Sequence, residues 1–327
     1  MKKFVCFTLS LLCLTGSAFA TNVAEPEPAV LDESGYSIDT PYEYPITLDM
    51  PEWASLTSLQ EKLEVCQIPE DILPQLTTPA LIETVLDYPL AVNVYAHGGI
   101  NDGIEVGVEV VSGQFNGLAE LRRRQSEEPA QTEAALADCL TCASARFAED
   151  FESIYAEDLL TCLLGEAAGQ SVRSSTTSVT TPKGSKVTAY KGLTWSDHGT
   201  TKSGANRMNQ QYLKTYPSAT LLRDAAPAYN CHSYAWYSDS SSNPYWIDDP
   251  SEYVLDGSYG ETSEYYVDSI VLYGEPGKSP SHSGTVSGVS DRHHLTYVVS
   301  KWRYYGLFEH LYYDCPFAGS VHTYRKN

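Results

Sequence analysis

Positive charge is scarce in this sequence. Lysine and arginine together number 21, against 42 aspartates and glutamates, which gives a formal net charge of −21 over 327 residues. A chain this acidic will not bind DNA, RNA or an anionic membrane surface through general electrostatics. We therefore expect no nucleic-acid partner.

Long apolar runs are missing after the first twenty residues. The beginning of the chain combines two lysines, an apolar run over residues 4–14 and the small-x-small site Ala18-Phe19-Ala20. This pattern predicts a signal peptide over residues 1–20, cleaved after Ala20, and the run is too short to be a membrane-spanning helix. We expect a secreted or periplasmic protein with no membrane insertion after signal removal.

Metal-binding cysteine patterns are also sparse. The cysteines that follow the predicted signal are even in number, which permits disulfides in an oxidising compartment. Cys139 and Cys142 form one CxxC, but no second CxxC and no histidine pair accompanies it. We therefore expect no metal and no organic cofactor, and favour a disulfide between this CxxC and Cys66 or Cys162.

Composition divides the rest of the chain into four parts. Residues 21–45 are acidic and proline-bearing, which indicates a flexible leader. Residues 46–165 carry apolar side chains at spacings of three and four, which predicts a helical domain of unknown role. A stretch rich in serine and threonine over residues 166–185 indicates a linker. Residues 186–327 mix short helices with strands.

Alternating strand patterns occur four times in the last part of the chain. They cover residues 267–273, 282–289, 295–302 and 319–324. A short helix precedes them, so the order is helix first and hairpins afterwards. This order predicts an α+β fold in which a cysteine-bearing helix packs on an antiparallel sheet.

The stretch over residues 229–237 places a cysteine at the start of that helix. Pro227 prevents an earlier helix from continuing, and Asn230 is a good N-cap because its side-chain oxygen can accept an orphan backbone N–H. Cys231 would then occupy the first helical position, where the helix dipole and free N–H groups favour a thiolate. A structural cysteine is the simpler alternative.

A nucleophilic thiol needs a base, and the base needs an orienting group. His232 follows Cys231 directly, so on a helix it would point about 100° away. His282 begins a predicted strand in the sheet that must pack on the cysteine-bearing helix, and it is the favoured base. His97, beside two glycines, is interpreted as an exposed loop histidine.

These residues resemble a known group of enzymes. Asn230-Cys231-His232-Ser233-Tyr234-Ala235 resembles the cysteine motif of the NlpC-type and CHAP cysteine peptidases and amidases, which are papain-like. Residues 267–273 look like the strand that follows in those families, and residues 282–286 look like their histidine strand. Over residues 186–327 the resemblance implies a papain-like domain that hydrolyses amide bonds, commonly in peptidoglycan stem peptides or cross-links. Cys231 would be the nucleophile and His282 the base.

The sequence departs from these families in two places. Asn-Cys-His stands where they usually have Asp-Cys-Ser or a similar triplet, and Val267 replaces the usual glycine before Asp268. The third, polar member of the site belongs on the strand after the histidine. Ser300 and His310 are both open for that role, and His310 is favoured because an imidazole is the stronger orienting group.

Three aromatic residues, Tyr229, Trp236 and Trp246, are expected to form the wall of the pocket. The expected partner is a peptidoglycan peptide or another peptide substrate. The alternative from a different class is a non-catalytic binding module for a cell-wall glycan or peptide. In that case Cys231 would be disulfide-bonded to Cys315.

Overall fold

The computed structural model describes residues 37–144, 151–165, 175–275, 277–278, 281–290 and 295–327. The predicted signal peptide and residues 21–36 of the predicted leader lie outside the described residues.

Helices make up the first half of the described chain. They are α1 (Pro51–Ser55), α2 (Leu59–Val65), α3 (Thr78–Leu86), α4 (Glu105–Ser112), α5 (Asn116–Glu127), α6 (Pro129–Ser144) and α7 (Phe151–Leu163), with short 3-10 turns at Leu73–Gln75 and Ala91–Tyr95. α2 illustrates how local sequence sets a helix end, because Ser58 and Glu61 form a reciprocal capping box at its start. Between residues 46 and 165 the described chain forms these helices joined by turns and loops, with one isolated β-bridge from Leu76 to Ile38.

Strands dominate the second half, together with α8 (Lys202–Thr215) and α9 (Glu252–Leu255). The strands are β1 (Ser175–Thr180), β2 (Lys186–Lys191), β3 (Thr220–Arg223), β4 (Tyr245–Trp246), β5 (Tyr259–Thr262), β6 (Ile270–Tyr273), β7 (His282–Ser290), β8 (Leu295–Lys301), β9 (Leu307–Leu311) and β10 (Val321–Lys326). One sheet has the order β1-β2-β4 and the other has the order β3-β9-β8-β7-β6-β10-β5. All neighbouring strands in both sheets are antiparallel, so the fold is mixed α+β.

The predicted linker over residues 166–185 contains a strand. β1 pairs with β2 along its whole length, and Val179 is buried with only 5% of its surface exposed. The threonines and the valine of β1 are β-branched, which suits a strand even where most side chains face water. The interpretation of residues 175–180 as linker was therefore wrong, because a polar composition does not exclude an edge strand.

The last part of the predicted leader is also packed. The N–H of Ile38 donates to the carbonyl of Gln75 at 2.8 Å. The Tyr44 ring is 7% exposed and contacts the rings of Tyr88 and Phe115, with centroids 6.4 Å away in each case. Residues 37–45 therefore belong to the folded body and not to a flexible leader.

Residues 37–327 form one compact unit, and a single large core runs through both halves. Leu81 and Val111 of the helical half belong to the same buried cluster as Val298 of β8. The indole N–H of Trp53 donates to the carbonyl of Thr215 at 2.9 Å. The halves expected as two domains thus share their core. None of the described helices has the length and apolar composition that crossing a membrane requires.

The seven-stranded sheet is covered on both faces. Tyr273 and Trp302 lie in the large core together with the helices. Ile270 and Leu272 point the other way, into a smaller core that contains Trp236. Since successive residues of a strand point to opposite faces, these two cores show which side of the sheet each residue faces.

Candidate functional site

The helix that carries Cys231 begins where the sequence predicts. Asn230 Oδ1 accepts the backbone N–H of Ser233 at 3.1 Å, and the Asn230 carbonyl accepts the N–H of Tyr234 at 2.9 Å. Asn230 is therefore the N-cap, as predicted, and Cys231 is the first residue inside. The helix, called here the cysteine helix, covers residues 231–237, and Ser233–Tyr237 form a π-helical turn.

The Cys231 thiol is buried, with 7% of the residue exposed. Burial raises its pKa to about 12 and outweighs the backbone of Ser283, His232 and Cys231 itself, which acts to lower the pKa. The nearby Asp248 carboxylate raises it further. The expected thiolate is therefore not the resting form, because desolvation outweighs the helix N-terminus.

Cys231 and His282 line the same cavity, which has a volume of about 250 Å³. Its lining combines the thiol and the imidazole with carboxylates and cations from the loops around them. The lining residues that matter below are Cys231, His232, Trp246, Asp248, His282 and Arg303.

His282 is held by ring contacts. Its imidazole stacks on Phe317 with centroids 3.4 Å apart and planes 4° from parallel, and it lies at an angle to the ring of Tyr273. Its Nε2 is buried and has no hydrogen-bond partner among the described residues. Burial, and then the neighbouring His310, His232 and His97, lower its pKa well below the usual value. The imidazole is therefore neutral at pH 7.

Because side chains alternate along β7, His282 lies on the face of the sheet that points away from the cysteine helix. Ser283 Oγ accepts the indole N–H of Trp236 at 2.8 Å and lies 2.7 Å from His232 Nδ1, so Ser283 faces the cysteine helix. His282 precedes Ser283 in β7 and therefore points to the opposite face. No hydrogen bond between Cys231 and His282 is present in the described part of the chain. The thiol and the imidazole reach one cavity from the two faces of the strand, which differs from the hydrogen-bonded pair expected from the sequence.

The two candidates for the third member of the site bond to each other. His310 Nε2 lies 2.8 Å from Ser300 Oγ, and His310 Nδ1 lies 2.9 Å from the carbonyl of Leu311. Since a carbonyl only accepts, Nδ1 carries the proton and Nε2 accepts from the Ser300 hydroxyl. That hydroxyl oxygen also accepts the Trp302 indole N–H at 3.0 Å. His310 thus has both nitrogens occupied and cannot orient His282 in this arrangement.

Only one of the three expected wall residues lines the cavity. Trp246 is fully buried and donates its indole N–H to Asp248 Oδ1 at 2.7 Å. Tyr229 and Trp236 are also buried, but neither lines the cavity. Trp236 packs on Tyr253 in the smaller core. The assignment of Tyr229 and Trp236 to the pocket wall therefore differs from the structure.

His97 is buried and not exposed as expected. It is 7% exposed, and its ring meets the edge of Phe317 at a centroid distance of 5.4 Å. Burial lowers its pKa to about 4. The two glycines that follow His97 suggested an exposed loop, but Gly99 and Asp102 hold this loop against Arg303, whose guanidinium donates to both of their carbonyls.

The cysteines expected in disulfides are thiols. Cys231 and Cys315 are both free and buried, so the bridge required by the alternative function is not formed. Cys66 and Cys162, the expected partners of the CxxC, are also free. The even cysteine count misled here because pairing depends on which side chains the fold brings together. No group of three or more potential metal ligands occurs among the described residues.

Sequence reasoning missed one buried lysine close to the cysteine helix. Lys301 is 0% exposed, donates an Nζ–H to the carbonyl of Tyr305, and lies with Nζ 5.1 Å from the Tyr229 ring centroid. Its pKa is lowered well below the usual value by burial. The available signal was its position, because Lys301 lies on the strand face that also carries Tyr297 and Val299.

Sequence reasoning also missed the charged lining. Asp248 follows Trp246 and Ile247 and accepts the N–H of Ile100 at 3.2 Å, so it joins the two halves of the molecule at the cavity. Arg303 lies in the hairpin after β8 with a positive φ of 51°.

Comparison of the chain with protein-family models, with curated proteins and with solved structures gave no match. The geometry of this cavity is accordingly the basis for assigning a function.

Proposed function

We propose that the protein is a secreted cysteine hydrolase of the papain-like type that cleaves amide bonds, with peptidoglycan stem peptides or cross-links as substrates. Cys231 acts as the nucleophile and His282 as the base. The observation that carries the proposal is that the thiol and the imidazole line one cavity, with Cys231 as the first residue of the cysteine helix.

The proposed reaction proceeds in two halves. The Cys231 sulfur attacks the amide carbonyl carbon while its proton passes to His282, and backbone N–H groups at the start of the cysteine helix stabilise the oxyanion. His282 then protonates the leaving amine, and the C–N bond breaks to give a thioester. Water, deprotonated by His282, attacks the thioester and releases the acid with the thiol restored.

Catalysis requires the imidazole to move. At rest it is stacked on Phe317, and both the thiol and the imidazole are neutral. Turning His282 towards the cavity brings a neutral base to a protonated thiol. The proton transfer then accompanies attack and does not precede it, which suits a water-poor site where separated charges are costly.

The test is digestion of muropeptides by the purified protein, with products identified by mass spectrometry. Cys231→Ala should abolish product, and His282→Gln should lower the rate by about 100-fold or more. Cys66→Ala is the matched control, since Cys66 is an equally buried free thiol with a pKa of about 12 that does not line the cavity. Equal product from the Cys231→Ala variant and the unsubstituted protein would contradict the proposal.

A further inference from the structure

A second cavity adjoins the one that Cys231 lines. It has a volume of about 590 Å³, and its lining comes from α7, from α8 and from the hairpin after β8. The side chains of Asp102 and Arg303 line both cavities, so the two spaces meet there. A peptide whose cleaved bond lies at Cys231 therefore has room to continue past Arg303 into the larger cavity.

Arg303 is a buried cation with unused hydrogen-bond donors. Only 9% of the residue is exposed. Its Nη2 donates to the carbonyls of Gly99, at 3.2 Å, and of Asp102. Its Nε is buried without a hydrogen-bond partner, and its Nη1 has none among the described residues. A guanidinium stays charged when it is buried, so these spare donors favour a ligand that supplies acceptor oxygens.

The carboxylates closest to Arg303 in the lining bond to other donors. Asp248 Oδ1 accepts the indole N–H of Trp246 at 2.7 Å, and Asp102 Oδ2 accepts the backbone N–H of Gly99 at 2.7 Å. Neither carboxylate forms an ion pair with Arg303 in the described part of the chain. The guanidinium charge at the junction is therefore not neutralised by direct contact with a described side chain.

The backbone at Arg303 is one that an arginine rarely adopts. Its φ is 51°, and it lies in a tight hairpin in which the N–H of Trp302 donates to the carbonyl of Gly306 at 3.0 Å. Glycine adopts this conformation without a Cβ penalty. The arginine side chain is held by the loop carbonyls and by the Tyr304 ring, with Cζ 5.4 Å from the ring centroid. The guanidinium is thus in place before a ligand binds, which lowers the cost of ordering it.

The acidic surroundings restrict where an anion binds in this cleft. Two further cations line the cavities, Lys278 in the smaller and Arg207 in the larger, and neither lies at the junction. Carboxylates outnumber the cations in the lining, and they are Asp102, Glu105, Glu157, Asp158, Asp248 and Asp249. Because this field repels anions, a ligand carboxylate binds only where it contacts the guanidinium through charge-assisted hydrogen bonds.

We propose that Arg303 forms a carboxylate-binding site at the junction of the two cavities, and that the protein acts on peptides with a free carboxylate close to the cleaved bond. The carboxylate oxygens accept the spare guanidinium N–H groups, and no covalent bond changes at this site. The proposal deepens the proposed function, because it assumes that cleavage takes place at Cys231. Arg303 then selects the substrate, while Cys231 and His282 carry out the reaction.

The test measures binding without turnover. A muropeptide, and the same muropeptide with its carboxylates converted to carboxamides, are titrated into the purified protein carrying Cys231→Ala, with isothermal titration calorimetry as the readout. The carboxylate form should bind about tenfold tighter or more. Adding Arg303→Met should reduce this preference to less than about twofold. Arg303→Lys should keep part of it, since lysine retains the charge but not the planar fork.

The matched control is Lys278→Met, which removes the exposed cation of the smaller cavity and should change the preference by less than about twofold. If Arg303 only holds the loop, Arg303→Met will weaken both forms together and leave their ratio unchanged, which would overturn the proposal. Equal affinity of the two forms for the protein that retains Arg303 would also overturn it, as would no binding of either form below about 10 mM. This comparison does not depend on the folding of any Arg303 variant.

Failure of the carboxylate site and failure of the hydrolase give different results. Digestion of muropeptides by the unsubstituted protein, together with equal affinity for the two forms, would remove the site and leave the hydrolase. A carboxylate preference that Arg303→Met abolishes, without any digestion by the unsubstituted protein, would support the site and contradict the hydrolase.

Discussion

At the scale of the residue, desolvation sets the charge of the groups near the cavity. His198, His232 and His310 are all buried, and burial lowers the pKa of each to about 4. His97 has the same value for the same reason. Each imidazole is therefore neutral in the folded chain at pH values where it would be charged in the unfolded chain. Opposite charges play a small part, since burial is the largest cause in every case.

Acid should therefore destabilise the protein well above the pKa of its carboxylates. Between the unfolded pKa of about 6.5 and the folded pKa of about 4, the unfolded chain binds more protons, so stability is full above pH 6.5 and is lost as the pH falls. The loss between about pH 7.5 and pH 5 should be on the order of 1–2 kcal/mol for each buried histidine. Urea denaturation at the two pH values measures it.

His97→Gln isolates one of these contributions. The variant should lose less stability on acidification than the unsubstituted protein, by on the order of 1–2 kcal/mol. His322→Gln is the control, because the hydrogen bond that His322 donates to the Glu261 carboxylate raises the pKa of His322, so this histidine acts in the opposite direction. If His97→Gln lost as much stability on acidification as the unsubstituted protein, the desolvation argument for His97 would be contradicted.

At the scale of the element, the close approach of two backbone segments shapes the wall of the cavity. α4 packs against the 3-10 turn Ala91–Tyr95, which leads into the loop of His97 and Gly99. The contact depends on Gly107, where an added Cβ would lie 1.7 Å from the carbonyl oxygen of Val94. A side chain there would displace the turn and with it the loop that lines the cavity.

Gly107→Ala should destabilise the fold by at least about 2 kcal/mol, because the backbone must shift to remove the overlap. Gly113→Ala, at the end of the same helix, should change stability by less than about 1 kcal/mol. Its Cβ would come no closer than 3.4 Å to the Val110 carbonyl, and its φ is −74°. Thermal denaturation of the two variants side by side gives the comparison, and equal midpoints would refute the close-approach argument.

At the scale of the whole molecule, polar ties join the two halves in addition to the shared core. Lys62 of α2 pairs with Asp314 at 2.5 Å, and both side chains are 0% exposed. Asp314 also accepts the hydroxyl of Ser218, and Lys62 donates to the carbonyl of Leu56 at 2.6 Å. All these groups are satisfied, which is the condition under which a buried ion pair is tolerated.

Lys62→Met should destabilise the protein by about 3–5 kcal/mol, because it leaves the Asp314 carboxylate buried without its cation. The double variant Lys62→Met with Asp314→Leu should recover much of that loss. Lys214→Met is the control: Lys214 is 56% exposed and 3.8 Å from Asp49, so its removal should cost less than about 1 kcal/mol. Chemical denaturation measures all three, and additive single effects in the double variant would contradict the pairing.

Local features of the chain were readable from the sequence alone. The α+β class followed from the order of helical and alternating patterns, and the cap at Asn230 followed from the side-chain chemistry next to Cys231. Both depend on contacts within a few residues, which propensity and periodicity describe. The excess of acidic residues likewise follows from composition, without knowledge of the fold.

Tertiary structure alone decided the relations between distant residues. An alternating strand shows that His282 and Ser283 face opposite sides, but not which of them meets the cysteine helix, because that depends on how the two cores are packed. The charge states of Cys231 and Lys301 depend on burial, which exists only in the folded chain. Hydrophobic periodicity and composition are properties of short segments. The direction in which a side chain faces and the degree of its desolvation depend on the complete fold.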